Sequence, residues 1–148
     1  MSDNSPVIKN RKAVYDFHLL QSFTAGIVLT GSEVKSLRAG EANLGDAFCT
    51  VENDELFIRN LYIKEFAQAS HYNHDPRRVR KLLLTRHEIR KIAVKLKEKG
   101  ITLIPLRLFF SEQGYAKIEI ALAKGKKTYD KREDVKKRDV ERELRRSL

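Results

Sequence analysis

The sequence predicts a mainly β protein with helices: a small antiparallel β-barrel, two or three flanking helices, and a flexible basic C-terminal tail. Three observations carry this expectation. A chain of 148 residues is enough for one hydrophobic core and no more. Through the first 123 positions, paired runs of β-branched and aromatic residues alternate with short polar breaks, the pattern of an antiparallel β fold. Beyond Ala123 that pattern stops. Residues 124–148 hold 11 basic and 6 acidic side chains in 25 positions, with only Val135, Val140, Leu144 and Leu148 as aliphatics. Such a segment cannot cover a core of its own. The organisation read from the chain is an N-terminal arm at 1–9, a β-barrel domain at 10–123 and a basic tail at 124–148.

The elements follow in order. Residues 14–19 and 23–30 read as strands separated by a polar break. Gly31 and Gly40 bracket a short segment of helical composition, SEVKSLRA. Residues 46–51 and 55–63 read as a hairpin across Glu52-Asn53-Asp54. The clearest helix is expected at about 86–98: Thr85 and Glu88 form a capping box, Ile89, Ile92, Ala93 and Leu96 recur at helical spacing, and Gly100 stops it. Residues 101–110 and 115–123 form a last hairpin, with Pro105 pointing to an edge position or a bulge.

Lys and Arg total 30 against 20 Asp and Glu, giving +10 at neutral pH. An excess of that size points to a polyanionic partner. Seven Phe and five Tyr within 41% hydrophobic residues exclude a wholly disordered polycation. A single Cys forbids an internal disulfide. With no membrane-length apolar run and no basic or apolar leader at the N-terminus, the expected compartment is a reducing cytoplasm.

Catalytic signals are poor. No nucleophile elbow, Rossmann glycine fingerprint or His-Glu-x-x-His occurs, and Gly125-Lys126-Lys127-Thr128 lacks the glycine that a phosphate-binding loop needs five positions earlier. His71 and His74 form a lone His-x-x-His in a polar loop, which reads as solvated surface rather than a metal site. Cys49 alternates with Ala47 and Val51 and reads as a buried small residue. No enzyme, metal or cofactor is expected.

Basic clusters near aromatics are the stronger signal. Arg77, Arg78, Arg80 and Lys81 place four cations in five residues, Asn10, Arg11 and Lys12 precede the first strand with Tyr15 close behind, and Lys35 and Arg38 lie three apart on the short helix. Each cluster alone reads equally well as a solvated face; together they suit phosphate oxygens, with Tyr or Phe available to stack on exposed bases. In the tail, Lys124, Lys127, Lys131, Arg138, Arg142 and Arg145 fall within about 60° on a helical wheel. Its i,i+4 ion pairs contribute only about 0.2–0.5 kcal/mol each, so the tail is expected to be mobile alone and to order on a polyanion.

Four collinear blocks carry a resemblance to a known family. NRKA at 10–13, GSEVKSLRAG at 31–40, DP at 75–76 with RKLLL at 80–84, and AKGKK at 123–127 with DKR at 130–132 closely resemble small protein B, the SsrA-binding proteins of bacteria. The resemblance implies a barrel of oligonucleotide-binding-fold character that binds the tRNA-like domain of transfer-messenger RNA and helps it rescue stalled ribosomes. It implies an RNA face including Asn10, Lys12, Glu33, Lys35, Arg38, Leu83 and Lys117, with Glu33 orienting cations or accepting from a base or a 2′-OH rather than binding phosphate. It implies a tail, helical on the ribosome, that enters the mRNA channel near the decoding centre through Lys124, Lys126, Lys127, Tyr129, Asp130, Lys131 and Arg132. Further implied partners are ribosomal RNA, and elongation factor Tu and alanyl-tRNA synthetase reached through the RNA, with the protein itself a monomer. The chain departs from the family pattern at Tyr15, Phe17, Thr24 and Tyr129. The competing readings are a generic RNA-binding or ribosome-assembly barrel and a metal-dependent phosphodiesterase, and the barrel segments show no acidic cluster for the latter.

Overall fold

A computed structural model describes residues 5–66 and 73–126 of the 148. In chain order it contains strand β1 (Ile8–Lys9), helix α1 (Arg11–Asp16), β2 (Phe17–Ile27), α2 (Gly31–Arg38), β3 (Ala42–Asn43), β4 (Phe48–Glu52), β5 (Glu55–Arg59), β6 (Tyr62–Ile63), β7 (Arg80–Leu83), α3 (Arg86–Leu96), β8 (Ile101–Phe110) and β9 (Ala116–Gly125). Seven strands form one antiparallel sheet in the order β1-β8-β9-β2-β7-β5-β4, and β3 pairs with β6 in a separate ribbon. The expected barrel is a curled sheet: β4 comes round against β8, while the ladder ends at β1 and β4.

The inner face of the sheet supplies the core, with Phe23, Ile27, Leu56, Ile58, Leu82, Leu103, Leu108, Ile118, Ile120 and Leu122 buried together. Leu37 of α2 and Ile89 and Ile92 of α3 fill the same core. A smaller cluster lies outside the sheet, where Ala13 of α1 packs on Ile104 and Ala123.

Two hairpins match the sequence reading. Asn53 and Asp54 both take left-handed φ, 53° and 62°, the geometry of a turn that follows strand twist. Gly114, at φ 88°, turns β8 into β9. Pro105 sits at the register shift before Arg107, as the bulge reading has it, and β1 pairs only with Arg107 and Leu108, so among the described residues no strand flanks β8 on that side at Pro105. The long helix runs Arg86–Leu96 with Thr85 as N-cap.

The expected first hairpin is absent. Val14, Tyr15 and Asp16 belong to α1, and Phe17–Ile27 is one continuous strand that pairs with β9 along almost its whole length. The reason is local: residues 17–25 contain no Gly, Pro, Asn or Asp to make a turn, so the expected break at residues 20–22 is only a bulge between Leu19 and Gln21. The second hairpin's return strand stops at Arg59, because Asn60 at φ 61° redirects the chain into β6. At the C-terminal side, β9 continues through Gly125, two residues past the expected domain end. Lys126 then donates its backbone N–H to Asp16 O at 2.8 Å and its Nζ to Val14 O at 2.9 Å. Lys124 and Lys126, expected in the tail, therefore belong to the folded body. The rest of the tail lies outside the described residues, including Lys127, Tyr129, Asp130, Lys131 and Arg132.

Candidate nucleic-acid interface

Helix α2 begins with a complete capping box. The Thr30 hydroxyl accepts from Glu33 N, and Thr30 N donates to Glu33 Oε1 at 2.8 Å. The same carboxylate is fully buried and takes two arginines: Arg78 Nη2 donates to Oε1 at 2.6 Å and Arg80 Nε donates to Oε2. Burial pushes the Glu33 pKa up, but Arg78, the Thr30 N–H and Arg80 together outweigh it and hold the carboxyl below its ordinary value. Arg80 spends its remaining donors on Leu61 O at 2.7 Å and Pro76 O at 3.2 Å.

Arg80 thus departs from the surface role expected of it. In β7 the pleat sends Arg80 and Leu82 inward and Lys81 and Leu83 outward, and the Arg80 guanidinium, with no exposed surface, joins the loop at 73–79 to α2. Glu33, also without exposed surface, is placed to orient Arg78 and Arg80 and not to meet a base. His74 corrects another expectation. It is buried, with Nε2 2.9 Å from Ile63 O and Nδ1 2.8 Å from Ser32 Oγ. Since a carbonyl only accepts, Nε2 carries a proton. Cys49 is buried as expected, and burial pushes its thiol far up. Among the described residues no group of three or more His, Cys, Asp and Glu side chains is placed to hold a metal.

The outer face of the sheet assembles residues distant in sequence. Register aligns Phe109 of β8 with Lys117 of β9, Lys117 with Gly26 of β2, and Gly26 with Leu83 of β7. Directly opposed residues share a face, so these four form one outward row. Gly26 keeps its middle flat: a Cβ there would lie 3.4 Å from that of Leu83, whose side chain is 52% exposed. The next row pairs Arg107 with Glu119 at 3.5 Å, and Arg107 lies 4.1 Å from the Phe109 ring centroid. Lys81 stands opposite Phe57 and 3.6 Å from Glu55.

Other cations also lie over rings. Arg38 sits 4.2 Å from the Phe110 centroid and donates to Gly114 O at 3.4 Å, which brings α2 to the Lys117 end of the sheet. Lys35 is 5.5 Å from Phe66, and Arg77 is 5.5 Å from Tyr62. Phe110 is buried in the core, so of these only the Phe66 and Tyr62 pairs present a charge and a flat apolar ring together, as phosphate and base recognition require.

Helix α1 occupies the other end of the outer face. Asn10 N donates to Leu106 O at 2.8 Å and Asn10 Nδ2 to Pro105 O at 2.9 Å, pinning the helix at the β8 bulge. Arg11 and Lys12 are exposed and Tyr15 half-buried there. The strand distance from Lys117 to Ala123, beneath α1, is roughly 20 Å at about 3.3 Å per residue. The predicted residues therefore fall into two stations, one at α1 and one at the Lys117 end of the sheet, where Lys117 and Leu83 face outward while Arg38 meets Phe110 from the opposite side of β8. Sequence reasoning missed Arg107, Phe109, Phe57, Tyr62 and Phe66. Strand register sets Phe57 opposite Lys81 and Phe109 opposite Lys117, and the fold carries Arg107, Arg77 and Lys35 over Phe109, Tyr62 and Phe66.

Fold and surface together define a class: a small basic antiparallel β-domain whose exterior carries cation–aromatic pairs, the architecture of proteins that grip folded RNA. The sequence pattern of the SmpB protein family matches residues 7–148. The chain belongs to the SmpB protein family. An SsrA-binding protein of Parabacteroides distasonis is 51% identical over 145 residues, covering 98% of this chain and 95% of that one. Another from Cytophaga hutchinsonii is 52% identical over 139 residues, covering 94% and 91%. Among solved structures, a chain described as "tmRNA-SmpB: a journey to the center of the bacterial ribosome" is 48% identical and superposes with a TM-score of 0.72, covering 84% of this chain and 87% of that one.

Proposed function

We propose that this protein binds the tRNA-like domain of transfer-messenger RNA and accompanies it to stalled ribosomes for trans-translation. The observation that carries the reading is the outward row Phe109-Lys117-Gly26-Leu83 on a chain of the SmpB family. A flat aliphatic and aromatic strip with a central ammonium matches an RNA surface that offers phosphates, 2′-hydroxyls and unstacked bases. In this reading Asn10, Arg11, Lys12 and Tyr15 contact the RNA at the α1 station. Lys35, Arg38, Arg77, Arg78, Lys81, Leu83 and Lys117 do so around the other, and Glu33 and Arg80 act by fixing Arg78. Residues beyond Lys126 address the mRNA channel and decoding centre. Elongation factor Tu and alanyl-tRNA synthetase are met through the RNA, by a monomer acting in the cytoplasm.

Electrophoretic mobility shift with the isolated tRNA-like domain, an elongator tRNA and an unrelated hairpin tests this. Selective binding of the tRNA-like domain is expected. Equal affinity for all three would favour a generic RNA-binding barrel instead.

A further inference from the structure

The β3–β6 ribbon carries a pocket of which the reading above uses only Arg77. Ala42 pairs with Ile63 and Asn43 with Tyr62; Ile63 is buried in the core and Ala42 packs against it, so Asn43 and Tyr62 share the outward side. With Asp46, Asn60 and Arg77 they line a cavity of about 260 Å³. Each wall is fixed by the backbone. Leu44, buried in the core, anchors a turn closed by Ala47 N donating to Leu44 O at 3.0 Å, which presents Asp46. Asn60 sits at the left-handed kink between β5 and β6. Asn43 Oδ1 accepts from Gly45 N at 2.7 Å, leaving its amide Nδ2 as a donor. Arg77 is held over Tyr62 because Asp75 Oδ1 accepts from Arg77 N at 2.9 Å and Pro76 O accepts from Ile63 N at 2.9 Å.

The chemistry of this lining narrows the ligand. Asp46 repels a phosphate, and as the only carboxylate among the described residues of the lining it is too little for a divalent cation. A cavity smaller than those that enclose drug-sized ligands suits a single planar base, and Tyr62 supplies a ring for it to stack on. Among the four bases, guanine alone offers two adjacent N–H donors, N1–H and N2–H₂, to one carboxylate. Its O6 and N7 accept from Arg or an amide. Acceptor, donors and ring are all present in this one pocket.

We infer that the Asn43-Asp46-Asn60-Tyr62-Arg77 pocket binds the guanine base of an unpaired RNA nucleotide. Asp46 accepts from the Watson–Crick edge, Arg77 and Asn43 donate to O6 and N7, and Tyr62 stacks on the ring. This rests on the RNA-binding reading and adds a base-specific contact to a surface otherwise built for phosphates.

The test uses the full chain and fluorescein-labelled pentanucleotides UUGUU, UUAUU and UUIUU, where inosine lacks the N2 amine, with fluorescence anisotropy as readout. The unmodified protein is expected to prefer guanine over adenine by about tenfold, the discrimination of one bidentate contact, and to bind the inosine strand less tightly than the guanine strand. Asp46→Asn should abolish the preference, Tyr62→Ala should weaken both strands, and Tyr62→Phe should keep the preference, with circular dichroism melts showing each variant folded. An unchanged preference in Asp46→Asn, or none in the unmodified protein, overturns the inference. Free GMP binding as tightly as UUGUU would overturn the assignment to RNA. The tRNA-like domain is titrated on the same samples. If the unmodified protein does not bind it, the proposed function fails. If it binds while Asp46→Asn leaves base preference untouched, the pocket assignment alone fails.

Discussion

Glu33 and Arg80 are both fully buried, so the energetic role of each depends on the other. An arginine stays charged inside a protein, and removing its carboxylate leaves that charge unpaired. Glu33→Gln is therefore expected to destabilise the fold by about 3–5 kcal/mol, read as a lowered urea midpoint. The pH dependence has a definite sign. The folded carboxyl titrates below 4.5, its ordinary value in the unfolded chain, so its contribution is complete above about 4.5 and is lost as pH falls through the lower folded value. Urea titrations at successive pH values should show this acid-side loss in the unmodified protein and a flatter profile in Glu33→Gln. At this scale the sequence was half legible. Glu33 was readable as something other than a phosphate ligand. Arg80 was not readable as buried, because four cations in five residues look like surface until β7 imposes its in–out alternation.

Element by element, the legible parts were those with strong local signals. The Thr85 cap and apolar spacing marked α3, the segment between Gly31 and Gly40 marked α2, although Gly31 itself is its first residue and Thr30 its cap, and Asn53-Asp54 marked a hairpin turn. What escaped was short or built by pairing: β1, β3 and β6 have two residues each, and their ladder partners lie far away in sequence. Helix α1 was mistaken for a strand because Val14 and Tyr15 have strand propensities, yet Ala13 packs on Ile104 and Ala123 and that contact decides. Because Asp54 occupies left-handed space at φ 62°, Asp54→Gly should raise stability by up to about 1 kcal/mol, seen as a higher melting temperature. Leu83 separates binding from folding. Being half exposed, Leu83→Ala should cost less than about 0.5 kcal/mol of stability while weakening affinity for the tRNA-like domain. Gly26→Val should weaken it as well, by pushing a branched side chain into the flat part of the row beside Leu83. A Leu83→Ala protein that binds at full strength would remove the row from the interface.

On the scale of the molecule, +10 net charge and the spread of cations over two stations predict binding driven largely by phosphate contacts. Neutralising about four to six phosphates gives a slope of log K against log salt near −3 to −5, and a salt-independent affinity would contradict it. Charge balance along the chain had already divided body from tail. It could not place the boundary, because Lys124 and Lys126 look like tail residues and are held by pairing to His18 and by the α1 carbonyls. Cutting after Ala123 would strip the end of β9 from both its neighbours, so a fair separation of functions cuts after Lys126.

In the proposed division of labour, residues up to Lys126 carry RNA recognition while the remainder licenses use of that RNA on the ribosome. The measurement that tests it most directly takes a chain ending at Lys126 beside the full chain, and reads tRNA-like-domain affinity and peptide tagging on purified stalled ribosomes from the same preparations. Affinity within about twofold of the full chain, a difference near 0.4 kcal/mol, is expected, with tagging abolished. Loss of RNA affinity in the shortened chain, or tagging that continues at the full rate, would contradict it.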